Sequence, residues 1–225
     1  LIKSGNELTN IGNKASGVGK ALTLGLTTPI VTGVGYITKL AVEYESAFAG
    51  VKKTVDETNT TSYEKLSKDF REMSKTLPAT ASDIARVAEV AGQLGIEADN
   101  ITGFTKVMID LGESTNLSAT SAAESLAKFA NITKLAPENY SRLGASIVDL
   151  GNNFATTEED IVAMAMRLAG AGSQIGLSQA DIIGLAGALS SVGIEAEMGG
   201  TAFSKLMVKM QLASTSGAKG MDELI

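Results

Sequence analysis

The stretch Ile84 to Leu126 returns in degenerate form at Ile161 to Met207. A helical unit used twice constrains the fold more than any other feature of this chain. The first copy reads Leu94-Gly95-Ile96, then Asp99-Asn100-Ile101-Thr102-Gly103-Phe104, then Leu111-Gly112. The second reads Ile175-Gly176-Leu177, then Ala180-Asp181-Ile182-Ile183-Gly184-Leu185, then Val192-Gly193. Three glycine pairs (95 and 176, 103 and 184, 112 and 193) keep one register of 81 positions by subtraction. Upstream, Asp83-Ile84 matches Asp160-Ile161 at a spacing shorter by four, which places the extra residues near Ala169-Gly170-Ala171-Gly172.

Apolar residues recur at spacings of three and four along most of the chain, the period of a helix with one buried face. The stripes are Ile37/Leu40/Tyr44/Phe48/Val51/Val55, Tyr63/Leu66/Phe70/Met73/Leu77, Ile84/Val87/Ala91/Leu94 and Ile101/Phe104/Met108/Leu111. They continue as Leu126/Phe129, Tyr140/Leu143/Ile147/Leu150/Phe154, Ile161/Met164/Leu168, Ile182/Leu185/Leu189/Val192 and Phe203/Leu206/Met210. Thr80…Asp83, Ser121…Glu124, Thr156…Glu159 and Ser178…Asp181 each set a hydroxyl three residues before a carboxylate, a helix-start signature. The glutamate pairs fit the strict capping box and the aspartate pairs a weaker form. Pro78 ends a helix, Pro137 suits a first helical position, and Gly95, Gly112, Gly176 and Gly193 sit where helices should stop. Connections of two to six residues leave antiparallel neighbours. The expected fold is all-α, a bundle of short antiparallel helical hairpins with a degenerate internal repeat.

Four segments are expected: a polar lead (1–20), an apolar Gly/Thr-rich segment running into a helix (21–57), a helical domain (58–213) with units near 80–133 and 156–212, and a linker (214–225). After the linker's small polar residues, Met221-Asp-Glu-Leu-Ile225 would open the next element. The chain reads as a piece cut from a longer protein. Residues 21–38 are uncharged and as a helix would span ~27 Å, close to a bilayer core. Five threonines, three glycines and Pro29 in that run weaken a stable span, so it is expected to be buried by partner chains, with transient membrane contact as the alternative.

Chemistry is restricted by what is missing. The 225 residues contain no Cys and no His, which removes disulfides, the usual zinc ligands and every Ser-His or Cys-His arrangement. The formal charge is −6, with the acidic excess after Val42, so sequence-independent nucleic-acid binding is disfavoured. Gly17-Val18-Gly19-Lys20 resembles a phosphate loop only superficially, because Lys14 stands where the first Gly is needed and Ala21 where Ser or Thr is needed. Two carboxylate groups invite glycoside hydrolysis, Glu158/Glu159/Asp160 and Glu195/Glu197. The first is explained by the positive end of a helix, and neither has an aromatic platform for sugars. Met164, Met166, Met198, Met207 and Met210 read as pliable core. The triplets at Asn100, Asn116, Asn131 and Asn139 fit a glycosylation acceptor but carry no weight without a secretion signal. No catalytic, cofactor-binding or metal residue is expected, nor any cofactor, and the chain is not expected to be an enzyme.

Several strings resemble the N-terminal core region of phage tail tape measure proteins. They are Leu22-Thr23-Leu24…Thr28-Pro29-Ile30, Val42-Glu43-Tyr44-Glu45, Val87-Ala88-Glu89-Val90-Ala91-Gly92-Gln93-Leu94-Gly95-Ile96 and Gly199-Gly200-Thr201-Ala202-Phe203. The similarity covers most of residues 20–213. It implies a structural role: tail tube assembly and length determination, then genome ejection. It also implies tube, baseplate or tail-tip and chaperone partners, a homo-oligomer around the tail axis, no sequence-specific nucleic acid, and a place in the virion tail lumen after assembly in the host cytoplasm. Two alternatives stay open, a generic all-α interaction module and a membrane-active protein using residues 21–38.

Overall fold

The computed structural model describes residues 28–216, and side chains from 38 to 215. The lead segment 1–20 and Met221–Ile225 lie outside the described residues, as do residues 21–27 of the uncharged run. The chain divides into two compact units, Leu1–Ser46 and Ala47–Ile225. Helix α1 spans Thr28–Thr54, so Pro29 falls in its first turn, where a missing N–H has no partner to lose. Leu40, at the head of the first stripe, is exposed, whereas Phe48, Val51 and Val55 in the larger unit are buried.

Among the described residues every regular element is helical. After α1 come α2 (Tyr63–Thr76), α3 (Ala81–Gln93), α4 (Ala98–Ser114) and α5 (Ala119–Thr133). A single 3-10 turn, Pro137–Asn139, leads into α6 (Tyr140–Asn153), followed by α7 (Glu158–Gln174) and α8 (Gln179–Ser191). A π-turn, Ala196–Gly200, then leads into α9 (Thr201–Ser216). The fold is an all-α bundle. α2 packs on α3 and α4, α3 on α4 and α5; in the same order α6 packs on α7 and α8, α7 on α8 and α9. The two sets are joined through α4 with α6 and α5 with α7. α3 has 13 residues and α7 has 17, so the four-residue difference in spacing is one extra helical turn in α7.

The core is aliphatic with a few aromatic rings. Phe70, Phe104, Phe129, Ile84, Ile101, Met108, Leu126, Ile147, Ile161 and Met164 are fully buried. Phe48 meets Phe70 edge-on with ring centroids 6.0 Å apart, and Phe104 meets Tyr140 at 5.1 Å, arrangements favoured by the ring quadrupole. Toward the C-terminus the expected stripes rotate. Val192, Met198, Leu206 and Met210 are exposed, and the residues of α9 that turn inward are Met207 and Ala213. Phe154 is also exposed, because it is the extended residue that ends α6.

Helix starts depart from the sequence pattern in two places. The fifth helix is capped by Ser118 instead of Ser121, whose own N–H donates to the Ser118 hydroxyl at 3.0 Å. That register leaves the buried Leu117 just outside the helix and the buried Ala122 one turn inside it, a hydrophobic staple that fixes the entry. α7 is capped by Thr157 instead of Thr156: Asp160 N–H donates to Thr157 Oγ1 at 3.2 Å, and the Thr156 hydroxyl is left buried without a partner. Fully reciprocal capping boxes form at the two aspartates, Thr80 with Asp83 and Ser178 with Asp181, and not at a glutamate.

Four helix ends, those of α3, α5, α7 and α8, share one device. Ile96 N–H donates to the Ala91 carbonyl, Leu135 to Ala130, Leu177 to Gly172 and Ile194 to Leu189, each across five residues. The residue before each donor is left-handed: Gly95 (φ 86°), Lys134 (φ 53°), Gly176 (φ 84°) and Gly193 (φ 77°). This is the Schellman arrangement, which satisfies terminal carbonyls and turns an apolar residue back on the helix. Gly112 does something else. α4 runs past it to Ser114, and a Cβ there would lie 2.7 Å from the Ala119 backbone nitrogen, so it lets the start of α5 approach α4. Among the described residues Lys134 is the one non-glycine residue with positive φ, and Gly176 has open space where a Cβ would stand. Lys134→Gly should therefore raise unfolding stability by about 1 kcal/mol, and Gly176→Ala should lower it by about 1–2 kcal/mol, both measured by urea unfolding.

Candidate functional site

The carboxylates that suggested hydrolysis are occupied by structure. Asp160 accepts from the Thr157 hydroxyl at 2.7 Å, and Glu159 donates its N–H to Asn116 Oδ1 at 3.2 Å. Glu158 lies against Gly151, where its side chain occupies the space a Cβ would take. Glu197 pairs with Arg167 at 3.5 Å on the surface. A general acid needs a raised pKa. Where carboxyls move here they move down: Glu72 through its hydrogen bond and charge pairing with Lys75, Asp181 through the hydroxyl and N–H of Ser178. Tyr140 moves up, through burial and then the nearby Glu97, as expected for a ring inside the core. Among the described residues no group of three or more His, Cys, Asp or Glu is placed to hold a metal ion.

Asp99 carries the largest perturbation. Its Oδ1 accepts from the Thr58 hydroxyl at 2.6 Å and the Thr60 hydroxyl at 2.7 Å, while Thr61 N–H donates to Thr58 Oγ1 at 3.0 Å. Bonds from Thr58, Thr61 and Thr60 hold the carboxyl at about 2. The polar stretch Asp56–Ser62 is thus a clamp that ties the α1–α2 connection to the start of α4. Other polar ties of this kind join the two halves. Gln179 Nε2 donates to the Thr133 carbonyl at 2.8 Å, and Asn116 supports the start of α7. Nothing in the local sequence marks Asn116 or Gln179 for that task, because each acts across more than forty residues of chain.

The two strings most specific to the family resemblance prove to be packing devices. In Ala91-Gly92-Gln93-Leu94-Gly95-Ile96, Gly95 supplies the left-handed end. A Cβ on Gly92 would lie 2.5 Å from Val55 Cγ2, so its absence lets α3 approach the end of α1. In Gly199-Gly200-Thr201-Ala202-Phe203, a Cβ on Gly200 would lie 2.5 Å from Arg167 Cβ, and one on Gly199 would overlap Ile194. Ser204 then donates its hydroxyl to the Arg167 carbonyl at 2.9 Å. The glycines press the π-turn and the start of α9 onto α7.

What remains accessible is surface of two kinds. A groove of about 410 Å³ runs between α6 and the start of α8, lined by Arg142, Leu143, Ser146, Asp149, Gln179 and Gly184 among others. On α8, the π-turn and α9, Val192, Met198, Leu206, Met210 and Leu212 expose apolar side chains, with Lys205 and Lys209 exposed among them. The second of these surfaces is an apolar one edged by lysines. Among the described residues no helix is long and apolar enough to cross a membrane.

Comparison with known proteins agrees with this character. The family described as "Phage-related minor tail protein" matches residues 67–225. The chain is similar to the "Probable tape measure protein" of Halomonas phage phiHAP-1, at 23% identity over 195 residues. That match covers 81% of this chain and 23% of the relative, so the chain spans under a quarter of the curated relative's length. No solved structure matches it.

The Asp99 clamp has a measurable consequence. The carboxyl is held below its ordinary 3.8 in the folded chain, so its contribution is present above about pH 4 and is lost as pH falls through about 2. Thermal midpoints measured from pH 5 to pH 2 should fall with acidification in the parent and fall less steeply in Asp99→Asn.

Proposed function

Since the chain belongs to the family of phage-related minor tail proteins, with a structural role in the phage tail, we propose that residues 58–213 are the assembly and docking part of a tape measure protein and not its ruler. The observation that carries this is the folding back of the chain. As one unbroken helix, 225 residues would reach ~340 Å. Within the larger unit no described helix exceeds 17 residues, about 26 Å, and each buries its stripe against neighbours. Adding or removing residues in such a bundle changes packing and not length, so the measuring function belongs to an extended helical region elsewhere in the parent protein. Tail tube, tail-tip and chaperone proteins are the partners, with several copies around the tail axis. The acid groups already used in caps and ion pairs support a non-enzymatic role.

Deletion tests this in a phage that carries the protein. Removing Thr156–Leu212 takes away α7, α8 and most of α9, exposes the surface of α5 that α7 covers and the side of α6 packed on α7 and α8, and should abolish or misdirect tail assembly. An in-frame deletion of similar size in the downstream rod should give viable, shorter tails in electron micrographs. Normal tails shortened by ~1.5 Å per residue after the Thr156–Leu212 deletion would make this region part of the tape.

A further inference from the structure

The helix packing extends the repeat upstream of the residues that first revealed it. α2 and α6 both have 14 residues, and each lies on the hairpin that follows it. Tyr63, Leu66, Phe70 and Thr80 stand 77 positions before Tyr140, Leu143, Ile147 and Thr157. Each unit is therefore four helices, α2–α5 and α6–α9, and the first helix of the second unit also seals the first unit. Tyr140 meets Phe104 at 5.1 Å, and a Cβ on Gly144 would lie 2.9 Å from Val107 Cγ1 and 3.7 Å from Leu111 Cδ1. The counterparts of Phe104, Val107 and Leu111, 81 positions on, are Leu185, Ala188 and Val192 of α8. That side of α8 is open: Val192 is 72% exposed where Leu111 is 2% exposed. α9 shows the same difference, with Met210 at 56% and its counterpart Phe129 at 0%.

We propose that the open side of α8 is the docking site for the chain's own continuation from Met221, seated as α6 is seated on α4. The spacing is the same, since Tyr140 follows Phe104 by 36 positions and Met221 follows Leu185 by 36. The pattern matches too. In Tyr140-Ser141-Arg142-Leu143-Gly144 the first, fourth and fifth residues are buried and the two between are exposed. Met221-Asp222-Glu223-Leu224-Ile225 is apolar at those three positions and acidic at the other two. Volumes also exchange across the contact. Gly144 has no side chain where it meets Val107, while its counterpart Ile225 would meet the smaller Ala188. Both surfaces are thus explained by one occupant, a third unit of the same design, its first helix on α8 and its second on α9 as α6 and α7 lie on α4 and α5, and the inference rests on the fold and not on the tail role.

The absence of cysteine makes the test clean. The double variants Ala188→Cys/Ile225→Cys and Ala188→Cys/Glu223→Cys place the second thiol at nearly equal chain distance, so a freely moving tail would oxidise both at the same rate. Docking in the proposed register should form the 188–225 disulfide at least ten-fold faster under air or oxidised glutathione, because Glu223 is the counterpart of the outward Arg142. Equal rates, or a faster 188–223 bond, would overturn the proposal. If Ala188→Cys perturbs α8 by circular dichroism, Leu185→Cys paired with Met221→Cys and with Glu223→Cys repeats the comparison, with the same outcomes.

Discussion

The structure depends on how its short helices end. A 13- to 17-residue amphipathic helix is marginal alone and persists only by burying its stripe. To do so, the chain must reverse within a few residues without stranding backbone carbonyls. The five-residue hydrogen bonds at Ile96, Leu135, Leu177 and Ile194 accomplish this, and each places an apolar residue at the reversal. Ile96 and Leu135 are buried there, so the turn is also a core contact. The cost is a left-handed residue, which three glycines meet easily and Lys134 meets against its side chain.

Once the reversals are fixed, close approach decides the packing. Gly92, Gly112, Gly144 and Gly200 each stand where a methyl group would strike a neighbouring helix. With few aromatic residues, a core of Ala, Ile, Leu, Val and Met has small side chains and can be dense only if backbones come near. This gives a physical meaning to the glycine-rich strings that carry the family resemblance: they set distances between helices. What the described helices of the second set leave uncovered is the apolar far side of α8 and α9.

Polar ties act at a longer range than pattern reading can follow. The Asp99 clamp joins residues separated by about forty positions, as do Asn116 with Glu159 and Gln179 with Thr133. The two asparagines at 116 and 131 looked like fragments of a glycosylation triplet; one caps a helix start and the other donates to the Leu94 carbonyl. Each of these bonds forms only after two helices have docked, so its donors carry no local signal.

The sequence by itself determined the helical class, the stripes from Ile84 to Ile161, the αL glycines at 95, 176 and 193, and the extra turn of α7. Those features follow from the 3.6-residue period and from backbone energies local to a few residues. The tertiary structure decided the rest. It chose Ser118 over Ser121, with Leu117 and Ala122 buried on either side of the cap, and Thr157 over Thr156. It kept Gly112 inside a helix although Gly193, at the same repeat position, ends one. It also left Val192, Leu206 and Met210 exposed where their stripe pattern matched that of buried helices, because an apolar stripe states that a face needs covering and only the neighbouring helix determines which face is covered.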